Sequence, residues 1–121
     1  MKYTRLYAAP DGSSYFEDLE IELPEVDYIP SAPPLRLFEF SAARQCGFME
    51  ALAGWQSDWH PSAARNLFAV ISGEWEVIAA DGTARRFVSG DLLVVEDTTG
   101  KGHQSRVVSD SVALVVELAD K

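Results

Sequence analysis

At 121 residues, 47% of them hydrophobic and 24% charged, the chain has the size and composition of one globular domain with a real core, which excludes a disordered or fibrous protein. Nineteen acidic against ten basic residues give a formal net charge of -9, a field that repels polyphosphate and anionic lipid and disfavours nucleic acid and membrane surfaces as partners. No apolar run approaches the roughly 20 residues of a membrane span, the start MKYTRLYAAPDGSS lacks the apolar stretch of a signal peptide, and a lone Cys46 allows no internal disulfide, so a cytoplasmic location is expected.

Short runs rich in β-branched and aromatic residues, separated by Gly, Pro, Asp and Ser, recur along the chain, and helical periodicity is missing. They predict strands over residues 15–23, 35–40, 47–53, 66–72, 74–79, 84–88, 92–96, 104–108 and 112–118. Between the first two, Pro24 to Pro34 holds four of the six prolines, which predicts an extended connection crossing an open barrel end or wrapping a neighbouring subunit. Cys46 is expected as a small apolar residue of a strand. In the third run, Glu50 shares parity with Phe48 and Leu52 and opposes Met49, making it a candidate inward carboxylate.

Asp81-Gly82 predicts a hairpin with Ala80, Asp81 and Gly82 as its loop, because Gly accepts the left-handed conformation that a three-residue turn requires. That register sets Trp75 opposite Phe87 and Glu76 opposite Arg86, an aromatic pair on one face and a charge pair on the other. Further on, Glu96 and Asp97 close the apolar run LLVV. Burial of Glu96 in a cavity would raise its pKa and prepare it for acid or base work; Asp97 is expected in a solvated turn, accepting from the backbone N–H groups of Thr98 and Thr99. Many short, evenly spaced strands argue for an all-β sandwich or barrel.

The stretch from Trp59 to Val108 resembles the two-motif core of the cupin family. His60, Ser62, Asn66 and Gly73 fall at the spacings of that family's first motif, and Gly90-Asp91, LLVVE, Gly100 and His103 follow the order of its second. The resemblance implies an all-β, cupin-like antiparallel β-barrel of jelly-roll type over residues 1–121, with His60 and His103 pointing inward. Metal-bearing members use three histidines and a glutamate. Here only His60 and His103 match, and Ser62 and Asn66 hold the other two places, so tightly bound metal is not expected and weak divalent binding would fall to the two histidines.

The candidate catalytic residues are therefore His60 and His103, with Glu96 and Glu50 as accompanying carboxylates, since neutral imidazole suits both proton transfer and ligation. Trp59 and Phe68, with Trp55 nearby, offer aromatic surface for a small organic ligand; Arg65 would receive a carboxylate in two-pronged geometry, and Asn66 and Ser62 add polar contacts. Three functions fit: a metal-independent isomerase, cyclase or lyase, a metal-dependent enzyme such as an oxygenase, and a noncatalytic small-molecule binding or sensing module. A homodimer is expected, because the tyrosine-bearing amino-terminal strand and the proline-rich connection offer edge surface that a small barrel must cover or pair.

Overall fold

A computed structural model describes residues 1–38 and 41–119. Nine strands and no helix occur among them: β1 (Lys2–Ala8), β2 (Ser14–Glu20), β3 (Glu25–Val26), β4 (Leu35–Arg36), β5 (Ala43–Ala51), β6 (Asn66–Ala79), β7 (Ala84–Val88), β8 (Leu92–Glu96) and β9 (His103–Leu118). Seven strands form one sheet in the order β2-β1-β8-β6-β9-β5, with β7 also on β6; β3 and β4 form a separate hairpin. The all-β reading holds. The pairings make an open path rather than a closed barrel, and the sheet is mixed, because β1 runs parallel to β8.

The hairpin takes the anticipated register. Trp75 pairs with Phe87 and Glu76 with Arg86, Ala79 and Thr83 close the loop through a 2.9 Å N–H···O bond, and Gly82 turns at φ 92°. Two pairs of expected strands are instead two long ones. β6 and β9 continue through residues 73 and 109–111, with register shifts between Val70 and Trp75 that take up the irregularity without ending the ladder. Gly73 makes this possible: it sits at φ 81°, and a Cβ there would collide with Ser111 and the Asp110 carbonyl on β9.

β1 was not among the expected strands. Its sequence KYTRLYA alternates, but only Thr4 and Leu6 are buried, and its pairing to residues 93–96 is invisible to any local window. Of the expected strand 35–40, Leu35 and Arg36 are in β4, and Glu39 and Phe40 lie outside the described residues. Cys46 is in β5, as expected of a strand residue, but is exposed.

The core gathers Leu6 from β1, Val70, Trp75 and Val77 from β6, Phe87 from β7, Val95 from β8 and Val107 from β9. Each fully buried aliphatic side chain of this kind contributes about 1.5–3 kcal/mol. No helix among the described residues is long and apolar enough to cross a membrane.

Gly73→Ala should lower stability by about 1–3 kcal/mol from the left-handed backbone alone, and by more because the new methyl has no space. Gly82→Ala, at φ 92° with open space around it, should cost only about 1–2 kcal/mol. Urea unfolding of the two variants measures the difference; equal losses would mean that the close approach of β6 and β9 is not a constraint.

Candidate functional site

His60 lies outside any strand, yet it is tied to His103 as a sheet residue would be. Its N–H donates to the His103 carbonyl and its carbonyl accepts from the His103 N–H, both at 3.0 Å. The preceding loop tracks β9 in the same way: Gly54 N–H donates to Val107 O, Val107 N–H to Trp55 O, and Ser57 N–H to Ser105 O. Gly102 lets the two histidines meet. It has φ 76°, and a Cβ on it would overlap the His60 carbonyl and Pro61 nitrogen. The imidazole centroids stand 4.7 Å apart with the planes at 55°.

Each ring is held through Nδ1. His103 Nδ1 is 2.6 Å from Asp97 Oδ2, and Asp97 has no exposed surface. His60 Nδ1 is 3.0 Å from the Pro61 carbonyl, which can only accept, so this nitrogen carries the hydrogen. A carboxylate partner assigns the same tautomer to His103. In the neutral form of each ring, Nε2 then carries the lone pair.

The two imidazoles border a cavity of about 160 Å³. Its deep wall is apolar, made by Val70, Trp75 and Val77 of β6, Phe87 of β7, and Leu93 and Val95 of β8; Phe68 and Ala113 extend it. Its outer rim holds the exposed side chains of His60, Trp55 and Met49, and Ser105 adds a hydroxyl. Among the described residues two buried polar side-chain atoms lack a hydrogen-bond partner, Trp75 Nε1 and Asp97 Oδ1, and both belong to this neighbourhood.

The carboxylates differ from expectation. Glu50 is exposed and does not line this cavity, because Met49, of opposite parity on β5, is the residue that reaches it. Glu96 faces away from the cavity and is clamped by Arg65 at 2.7 Å and Arg5 at 2.9 Å. Burial pushes its carboxyl upward, but the hydrogen bonds and charges of Arg65 and Arg5 outweigh this and hold the pKa below the ordinary 4.5. Such a group is a poor proton shuttle near neutrality. Asp97, expected in a solvated turn, is instead the buried partner of His103; Thr98 N–H donates to Glu96 O.

The ligand-contact candidates scatter. Phe68 lines the cavity. Trp59 does not, and carries the Lys101 ammonium 4.2 Å from its ring centroid. Arg65 is committed to Glu96 and, at 3.3 Å, to the Ala119 carbonyl. Ser62 Oγ donates to Ala64 O at 2.6 Å and receives Asn66 Nδ2 at 3.5 Å, so both side chains bond locally beside the cavity. Sequence reasoning missed Asp97, Met49, Trp75 and Ser105. The alternation Leu93, Val95, Asp97 was the available signal for the first, since the buried residues of β8 share its parity.

No protein-family model matches the chain, and no curated protein does. Solved structures do. The cupin domain of Schizosaccharomyces pombe Cnp3 matches over 98% of this chain and 88% of that one, with a TM-score of 0.54 and 16% identity. A cupin-2 domain protein of Shewanella frigidimarina matches over 62% and 70%, with a TM-score of 0.51 and 16% identity. The fold is that of the cupins. A cupin superfamily protein of Desulfitobacterium hafniense, 20% identical, also matches, over 81% and 95% with a TM-score of 0.50; identities this low carry the fold and no activity.

The donor set does not fit the metal of a three-histidine, one-glutamate cupin. Two imidazoles reach the cavity, Ser62 and Asn66 bond to their own surroundings, and Asp97 is used on His103 Nδ1. Among the described residues no group of three His, Cys, Asp or Glu side chains is placed to hold an ion.

Two measurements check this account. For Glu96, a folded pKa below the unfolded one means that the unfolded chain takes up the proton first; its stabilisation is present above about pH 4.5 and is lost as pH falls through the lowered value. Glu96→Gln should therefore reduce stability at neutral pH by about 1.5–3 kcal/mol, the scale of a hydrogen bond to a charged group, and flatten the acid limb of the stability curve. For the dyad, a cycle of His103→Ala, Asp97→Ala and the double variant should give a coupling of about 0.5–3 kcal/mol; additive losses would mean that the 2.6 Å bond stabilises nothing.

Proposed function

We propose that this chain is a small-molecule-binding cupin whose cavity between His60 and His103 supports general acid-base turnover, of isomerase, cyclase or lyase type, without a tightly held metal. One arrangement supports the reading: an imidazole anchored by a buried carboxylate forms part of an otherwise apolar cavity wall, with a second imidazole beside it. With Nδ1–H engaged, Nε2 of His103 is the base, and Asp97 offsets the charge of the imidazolium that forms when this atom takes a proton. His103 returns that proton from the same Nε2 to another atom of the bound molecule, which His60 holds from beside it as a hydrogen-bond acceptor. Positioned proton transfer of this kind contributes roughly 10²- to 10⁴-fold in rate. A binding or sensing module would use the same cavity without turnover.

The cytoplasm is the proposed location, and a homodimer the proposed assembly. All of β5 up to Glu50 is exposed and includes Phe48, 78% exposed, while Tyr28, Ile29, Leu35 and Phe38 lie exposed on the segment before it. An edge strand with apolar side chains and an apolar arm are matching halves of a two-fold contact. Sedimentation should give twice 13.3 kDa, and Phe48→Glu should give the monomer; wild-type protein that stays monomeric at micromolar concentration rejects the dimer.

The site itself is tested by screening small uncharged compounds against the two imidazole NMR signals. Compounds that move both signals, and bind about tenfold or more weakly to His60→Ala, the scale of one lost hydrogen bond, are the expected result. Turnover of a bound compound that drops in Asp97→Asn while binding persists would single out acid-base chemistry. A screen in which no compound moves either signal rejects the site.

A further inference from the structure

Resting on the reading of the His60–His103 cavity as a binding site, we infer that its ligand is an uncharged single-ring molecule that brings its own O–H or N–H donor, of the phenol, enol or azole class. Size comes first. An apolar cavity of about 150 Å³ takes up benzene, and this one, open at its rim, measures about 160 Å³, so one ring fits and a fused or substituted system extends past the rim at Met49, Trp55 and His60.

The wall sets the character of the body. Phe68, Trp75, Phe87 and the rim residue Trp55 present aromatic surface, and Trp55 and Trp75 already meet edge-on at 6.3 Å between centroids. Offset or edge contacts with such rings favour a flat apolar partner.

Charge and hydrogen-bond direction narrow the class further. No Lys, Arg, Asp or Glu is among the residues lining the cavity. A carboxylate or phosphate seated against the apolar wall would be desolvated without a counter-charge, and an ammonium there would lack a carboxylate among the lining residues. Arg65, the one arginine near the first motif, is held by Glu96 and the Ala119 carbonyl and is not among the lining residues. What remains is a polar edge of two imidazoles, with the Ser105 hydroxyl and the unpartnered Trp75 Nε1–H as the other polar groups of the lining residues. Because Asp97 and the Pro61 carbonyl each occupy an Nδ1, each ring in its neutral form has Nε2 left as an acceptor, and an acceptor pair selects a ligand that donates. An ether or a hydrocarbon of the same shape would leave the nitrogen of the buried His103 without a donor.

The experiment uses the full chain and four ring-sized probes: phenol, anisole, benzoate and benzylammonium. Tryptophan fluorescence gives affinity, and the imidazole signals of the only two histidines report where each probe sits. Phenol should move both histidine signals and bind about tenfold or more tightly than anisole, the discrimination expected for one unmade hydrogen bond, with benzoate and benzylammonium weaker than phenol. His60→Phe, a substitution at an exposed position, should bring phenol and anisole together; His103→Ala is less informative, since it strands Asp97. Anisole equal to phenol overturns the donor requirement, and benzoate or benzylammonium binding more tightly than phenol while moving the histidine signals overturns the uncharged class; in each of these cases the cavity stands as a binding site. If no probe moves either histidine signal, the cavity reading falls together with this inference.

Discussion

A carboxylate with no exposed surface must be paired, and in this protein the pairing of Asp97 with His103 is the bond around which the rest of the site is arranged. Asp97 is held on the backbone side as well, where its carbonyl accepts from Ser62 N–H at 3.0 Å. That contact draws the loop carrying His60 toward the end of β8, and the double hydrogen bond between His60 and His103 completes a closed circuit of chain. Gly102 is the clearance in that circuit. Ser14, itself without exposed surface, locks it from the far side by donating to the Gly102 carbonyl and accepting from Ala80 N–H. Residues from four parts of the chain thereby hold two rings 4.7 Å apart.

Much of this was legible before the structure, and the rest was not for identifiable reasons. The 80–82 loop could be read because Asp-Gly chemistry, alternation and two complementary cross-strand pairs agree. The shared position of His60 and His103 could be read from the cupin spacing. Glu50 went wrong because alternation divides a strand into two faces without saying which is inward: β5 is exposed along nearly all its length, and it is the Met49 face that reaches the cavity. Glu96 and Asp97 are neighbours on a strand and must point to opposite sides. The face they take follows from Leu93 and Val95, but the two arginines that make Glu96 structural come from β1 and from the residue before β6, and no local window joins them.

The two acidic neighbours thus divide the labour of one strand end. On the outer face Glu96 joins Arg5 to Arg65, and so ties β1 and the start of β6 to β8. On the inner face Asp97 fixes an imidazole. Exchanging their roles would need only a one-residue slip of β8, which would also turn Leu93 and Val95 out of the core; burial of those two side chains protects the site's chemistry from that error.

The parallel pairing of β1 with β8 bears on when the fold can form. Thr4 pairs with Leu93 and Tyr7 with Glu96, so the first strand has no inner neighbour until three-quarters of the chain exists. During synthesis the β1–β2 hairpin can close early, but Leu6, later buried without residual exposure, stays in water until β8 has emerged. Such long-range closure is entropically costly and slow. For this protein the vulnerable interval comes before β8 leaves the ribosome, when an apolar hairpin edge waits for a strand that has not yet been made.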